Sequence, residues 1–211
     1  MSLTLALLAR DSEARIGEAI RSARELADET IVLDTGSTDR TIAVAREAGA
    51  KVFVTEWPGR FDVACNALLD LVKTDWLLRL DADEALRPEA HAPLRAFLES
   101  PGETEIVFLV RRDFEPHGVT SYCRLPRLWR HRPERRYVGA VHEQLEFERM
   151  RELLRDGRAV TRPDLVIDHF GFLDAGDRRG KDARNLPLVE EELRHRPNDF
   201  YYQVCRVDIM R

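Results

Sequence analysis

Short apolar runs alternate, through the first half of the chain, with stretches in which apolar positions recur every three or four residues. Residues 3–8 read as a strand. Ile16, Ala19, Ile20, Ala23 and Leu26 then recur at helical spacing, with Ser12 placed to cap that helix. Residues 30–33 predict a second strand and 38–48 a helix that Gly49 stops. A third strand is expected at 51–55, and a helix at 61–73 after the Pro58-Gly59 turn. A fourth strand follows at 75–80, a helix from Pro88, and a fifth strand at 104–111. Ile31-Val32-Leu33 and Trp76-Leu77-Leu78 are continuously apolar, as in strands covered on both faces. The expected fold is therefore α/β, a mostly parallel, doubly wound sheet with helices on both faces. Ligands in such sheets sit beyond the carboxyl ends of the strands, where Asp34 and Asp81 fall.

The pattern changes after residue 112. Residues 113–148 hold short strand-like pieces, many arginines and turn residues, and 164–170 carry a further strand around Leu165-Val166-Ile167. Helical periodicity returns from Asp177 to a stop near Pro197. Residues 200–210 form a last amphipathic segment that reads as the start of something longer. These shifts divide the chain into a domain at 1–175, with halves 1–112 and 113–175, and a helical extension at 176–211. No full internal repeat is present.

Composition narrows the class. The 211 residues are 44% hydrophobic and 34% charged, which fits a soluble globular domain. A net charge of −5 argues against nucleic acid as a partner. The apolar run 3–9 is too short to span a membrane and lacks the basic leader of a signal peptide. Cys65, Cys123 and Cys205 are odd in number and far apart, giving neither a metal spacing nor a disulfide framework, which suits a reducing cytoplasm. Positive charge is concentrated in Arg124, Arg127, Arg130, Arg132, Arg135 and Arg136. With Trp129 and Tyr137 among them, this stretch could hold an anionic acceptor, a phosphate or a membrane surface. It could equally be a solvated basic loop.

Candidate chemistry begins with Leu80-Asp81-Ala82-Asp83-Glu84. Carboxylates two apart in extended chain share a side, and they repel unless a cation or a proton intervenes. An oxygen-seeking divalent ion, Mg2+ or Mn2+, would suit them and leave positions for water and phosphate oxygens. In the 34–41 turn Gly36 permits a tight turn, and Thr38 and Asp39 read as helix caps. Asp34, at the strand tip, could accept a hydrogen bond from a base or ribose. His91, His117, His131 and His195 share no spacing and carry no assignment.

Taken together, Leu33-Asp34-Thr35-Gly36-Ser37-Thr38-Asp39-Arg40-Thr41, Asp75-Trp76 and Leu80-Asp81-Ala82-Asp83-Glu84 resemble a family 2 glycosyltransferase of the GT-A fold. Val141-His142-Glu143-Gln144-Leu145 and Lys181…Arg184-Asn185-Leu186 resemble the branch with WaaE-like lipopolysaccharide-core and SunS-like peptide glycosyltransferases, which often continue into tetratricopeptide-like helices. The resemblance implies a cytoplasmic enzyme, associated with the inner face of the membrane or free of it, and active in cell-envelope polysaccharide synthesis. It would invert the anomeric centre while moving a sugar from a nucleotide-sugar, UDP-linked above others, to a glycan, lipid-linked or peptide acceptor. It also implies roles by position. Asp34, Asn66, Asp81 and Ala82 would meet the donor, and Asp83 with Asp81 the metal. Glu143 would be the base with His142 beside it, and Glu84 the reserve. Arg124, Arg127, Trp129 and His169 would touch acceptor or phosphate. Two departures stand out. Arg10-Asp11-Ser12-Glu13 replaces the family's usual Lys-Asn-Glu, and Cys65 precedes Asn66 where an arginine is common. The alternatives are a nucleotidyltransferase, for which no glycine-rich phosphate loop follows the first strand, and a nucleotide-sugar binding module without turnover. A dinucleotide-binding dehydrogenase is disfavoured by the lack of Gly-X-Gly-X-X-Gly.

Overall fold

The computed structural model describes residues 1–145, 147–173 and 175–210. The first half is a β-α alternation: β1 (Leu3–Ala9), α1 (Ile16–Ala23), β2 (Glu29–Asp34), α2 (Thr41–Glu47), β3 (Lys51–Val54), α3 (Phe61–Leu71) and β4 (Trp76–Asp81). Then come β5 (Glu84–Leu86), α4 (His91–Glu99), β6 (Ile106–Glu115), β7 (Gly118–Arg130), β8 (Tyr137–Val138) and β9 (Gln144–Leu145). The chain closes with α5 (Phe147–Arg155), β10 (Ala159–His169), α6 (Ala175–His195) and α7 (Phe200–Ile209). The side chain of Lys181 lies outside the described residues.

Eight strands form one sheet in the order β3-β2-β1-β4-β7-β6-β10-β5, and β8 pairs with β9 in a small ribbon. β1 pairs in parallel with β2 and β4, β2 with β3, and β6 with β10. β7 is antiparallel to both its neighbours, and β5 is antiparallel to β10. The pairing of β10 with β6 shifts register between Arg162 and Val166, across Pro163.

Both faces are buried, which explains the continuous apolar runs. Leu3, Leu5 and Leu7 of β1 pack with Ile16 and Ile20 of α1 and with Trp76 and Leu78 of β4. The alternate positions Ala6, Ile31, Leu33 and Leu77 face Leu68 and Leu69 of α3. Each leucine or isoleucine among them contributes on the order of 1.5–3 kcal/mol by leaving water.

Several details differ from the sequence reading. The arginine-rich stretch is not a loop: most of it is β7, a 13-residue strand inserted between β4 and β6. Trp129 on that strand is fully buried beside Leu77 and Ile106, so it is a core residue and not an acceptor contact. β5 and α5 are elements that the sequence reading did not include, although Met150 and Leu153 of α5 pack on the core at helical spacing. Ser12 does not cap α1 with its side chain; its hydroxyl donates to the Arg10 carbonyl, and α1 begins at Ile16. The helix expected from residue 38 begins at Thr41, because residues before it are held in a turn by side-chain bonds.

Candidate functional site

A cleft of about 540 Å3 opens beyond the carboxyl ends of β1 and β4. Its walls include Arg10, Asp11 and Arg15 after β1, Thr35 after β2, Asp81, Ala82 and Asp83, the 141–143 loop, His169, and Arg184 and Asn185 of α6. The structure thus brings Asp81, Ala82, Asp83, His142, Glu143 and His169 together.

Alternation along β4 turns Arg79 and Asp81 toward the same side. Arg79 is 5% exposed, and its Nη2 lies 3.3 Å from Asp81 Oδ1 and 3.3 Å from Glu143 Oε1. Arg127 approaches from β7, donating to Asp81 Oδ2 and, at 2.6 Å, to Glu84 Oε1. Glu84 Oε2 accepts the Asp81 amide at 3.0 Å. Burial pushes the Asp81 pKa up, but the Arg127 and Arg79 guanidiniums outweigh it and hold the carboxyl well below the usual range. Glu84, fully enclosed, is pushed up by burial and by the Asp81 charge. Arg127 is therefore committed to the carboxylates of the site and does not reach for an acceptor. Arg124 is exposed on β7, outside the cleft lining.

Asp83 faces His169, with Oδ2 to Nε2 at 3.6 Å. The other ring nitrogen of His169 meets Asp113 Oδ1 at 2.8 Å, and Arg111 Nε lies 2.9 Å from the same oxygen. Burial opposes a proton on His169, yet Asp83 and Asp113 outweigh it and raise the ring's pKa. Among the described residues, no three His, Cys, Asp or Glu side chains are already gathered as a metal-ligand set.

Glu143 follows His142, whose backbone is left-handed at φ 53. Cys65 Sγ lies 3.4 Å from Glu143 Oε1 and 3.4 Å from Arg79 Nη2. Burial pushes the Cys65 thiol far up, so it sits there as a neutral donor.

Asp34 and Asn66 are placed differently from the sequence expectation. Asp34 is fully buried, and its carboxylate accepts the amides of Gly36 at 3.0 Å and Ser37 at 2.8 Å and the Ser37 hydroxyl. It shapes the turn, which Gly36 allows with φ 97, while Thr35 reaches the cleft wall. Asn66 exchanges hydrogen bonds with the Tyr137 backbone, 3.0 Å to the carbonyl and 2.8 Å from the amide, and so fastens β8. Asp39 acts at the helix start, accepting the Thr41 amide at 2.8 Å. Asp11 and Glu13 reach across to the same turn, accepting the amides of Thr38 and Arg40.

Sequence reasoning missed Arg79, Asp113 and Arg15. For Arg79 a signal existed: a cation interrupts the apolar run Trp76-Leu77-Leu78-Arg79-Leu80. Asp113 has none, because His169 is 56 residues away in the chain.

The profile described as Glycosyl transferase family 2 matches residues 5–155. The chain is 36% identical over 202 residues to a TPR repeat-containing protein of Synechococcus elongatus, covering 94% of this chain and 50% of that one. It is 23% identical over 201 residues to the SPbeta prophage-derived glycosyltransferase SunS of Bacillus subtilis, covering 94% and 46%. Among solved structures, glucosyl-3-phosphoglycerate synthase from Mycobacterium tuberculosis in complex with Mg2+ and UDP is similar over 54% of this chain and 43% of that one, at 26% identity and a TM-score of 0.44. The chain spans about half the length of the curated relatives it matches.

Proposed function

This chain belongs to glycosyl transferase family 2, and from that premise we propose that it transfers a sugar from a nucleoside-diphosphate sugar, UDP-linked above others, to an acceptor hydroxyl with inversion. The observation that carries the reading is the pairing of Asp83 with His169 beside an Asp81 pinned between two arginines. Asp83 and His169 suit Mn2+ or Mg2+, which would complete its shell with water and diphosphate oxygens. Asp113 on the far nitrogen of His169 is the kind of partner that orients a ligating imidazole. Charge supports the same reading. Asp81, Glu84, Asp113 and Glu143 face Arg79, Arg111 and Arg127. Carboxylates thus outnumber guanidiniums in this cluster, and a ligating His169 would be neutral. When bound, the divalent cation would neutralise charge developing on the departing diphosphate.

Glu143 takes the acceptor's proton in this scheme, and the Arg79 guanidinium keeps it in place beside the cleft. A second cavity of about 550 Å3 shares Arg79, Asp81, His142 and Glu143 with the first. Its further lining includes Phe108, Leu125, Met150 and Tyr201, which favours an acceptor with an apolar portion, lipid-linked or peptide, over a bare sugar. No helix among the described residues is long and apolar enough to cross a membrane.

The test is thermal denaturation with UDP, with and without Mn2+. A ligand at about a hundred times its Kd adds about 2.7 kcal/mol, so Tm rises with both together. Asp83→Ala loses the Mn2+-dependent rise, and Glu143→Gln keeps it while losing transfer. A rise that Asp83→Ala leaves intact would remove Asp83 from the metal site, and no rise with any nucleoside diphosphate would remove the donor assignment.

A further inference from the structure

His142 and Glu143 lie on a loop, residues 139–143, with two left-handed positions, Gly139 at φ 111 and His142 at φ 53. A residue with a Cβ stays in that region only where its surroundings hold it there. Much of the hold comes from the last two helices. Glu192 of α6, 4% exposed, accepts the Ala140 amide at 2.6 Å. Tyr202 of α7 donates its hydroxyl to the Val141 carbonyl at 3.3 Å. From α3, Asp62 accepts the Gly139 amide at 3.0 Å, and the Phe61 amide donates to the Ala140 carbonyl at 2.8 Å. Glu192 is itself fixed by Arg60 at 3.2 Å and by Arg196.

Packing repeats the pattern. Val141 forms a small buried cluster with Val189 of α6 and Tyr202 of α7. A Cβ on Gly139 would stand 2.6 Å from the Tyr202 hydroxyl, so the loop and the tyrosine are fitted to each other at van der Waals distance. The Tyr201 ring meets the His142 ring edge-on at 6.1 Å. Arg184 and Asn185 of α6 complete the cleft wall beside this loop.

We propose that Glu192 and Tyr202 are positioning residues that set the backbone of Val141-His142-Glu143, and through it the reach of the Glu143 carboxylate into the cleft. The α6–α7 pair is then a working part of the site and not an appendage. The link to transfer rests on the reading of Glu143 as the base; the link to the loop does not.

The two links are read separately. Hydrogen exchange followed by mass spectrometry reports the loop. Losing one hydrogen bond worth about 0.5–1.5 kcal/mol speeds local exchange about two- to tenfold. Tyr202→Phe, which keeps the ring, is expected to speed exchange by that factor in residues 139–143 and to leave β1 and β4 unchanged. Glu192→Ala is expected to do more, and Glu192→Gln, which keeps an acceptor oxygen for Ala140, to recover most of the protection. Kinetics report the base: kcat falls in Tyr202→Phe with the donor KM within about twofold, since the donor wall at Asp83 is untouched. Unchanged exchange at 139–143 in Tyr202→Phe overturns the proposal even if Glu192→Ala fails to fold. Faster exchange with kcat unchanged, or with the loss confined to KM, overturns the coupling to Glu143. If the chain transfers no sugar at all, the exchange measurement still decides the positioning role.

Discussion

Arg79 stands where strand alternation would place an apolar side chain against α3, and it is tolerated because Asp81 and Glu143 meet it from two sides. Removing one partner of a buried ion pair leaves charge without compensation and costs about 3–5 kcal/mol. Arg79→Met should lose that much in urea denaturation, and adding Glu143→Gln should restore part of it. A loss below about 1 kcal/mol would show that the carboxylates do not depend on Arg79. Glu105 offers the pH counterpart. Burial alone would raise its pKa, but hydrogen bonds from Arg132 and Arg135 outweigh burial and draw it from 4.5 to about 2. A depressed carboxyl binds its proton more readily in the unfolded chain, so its contribution is full above about 4.5 and fades as pH falls toward about 2. Glu105→Gln should flatten the Tm profile across that window; an unchanged slope would assign the acid sensitivity elsewhere. The same residues show what sequence could reveal. The place of Asp81 and Asp83 at the cleft was legible because they stand at the end of a buried strand, whereas Asn66 and Asp34 spend their polar atoms on bonds within the fold.

At the scale of elements, the alternation from β1 to β4 was legible because each element carries its own period: continuous apolar strands, amphipathic helices, and Gly36 and Gly49 at left-handed turns. β7 and the turn after it were not, because their arginines look solvated until their partners are known. Arg127 meets Asp81 and Glu84, Arg132 and Arg135 meet Glu105, and Arg130 lies over the Trp76 ring. Each of these partners lies more than twenty residues away along the chain, beyond the reach of any local pattern. β5 escaped notice for another reason: three residues are too few to display a period. The role of β7 as an inner strand makes Trp129 a sharp probe. Trp129→Ala should cost about 3–5 kcal/mol, as large-to-small changes in a core do. An effect under about 1 kcal/mol, as at an exposed acceptor contact, would contradict the burial of the indole.

Across the whole molecule, the sheet interleaves the chain. β7, from the later part of the sequence, lies between β4 and β6, and β10 joins β6 from later still. Residues 1–112 and 113–175 therefore cannot separate without breaking the pairing of β7 with β4 and β6. Unfolding should be one transition, with tryptophan fluorescence, which reports Trp57 at the cleft and Trp76 and Trp129 on opposite faces of the sheet, and far-ultraviolet circular dichroism giving the same midpoint. An earlier fluorescence midpoint would reveal independently melting parts. The register break in β10 has a consequence of a different kind. Beyond its three-residue pairing with β5, β10 would offer a long outer rim of unpaired amides to any neighbouring chain. Pro163 removes one of those amides, the shift between Arg162 and Val166 spoils the straight run, and the exposed Arg162–Asp164 pair sets charge on the spot. These are the devices by which open sheets resist self-templated aggregation, so the irregular stretch of β10 guards the solubility of the protein at the strand that carries His169.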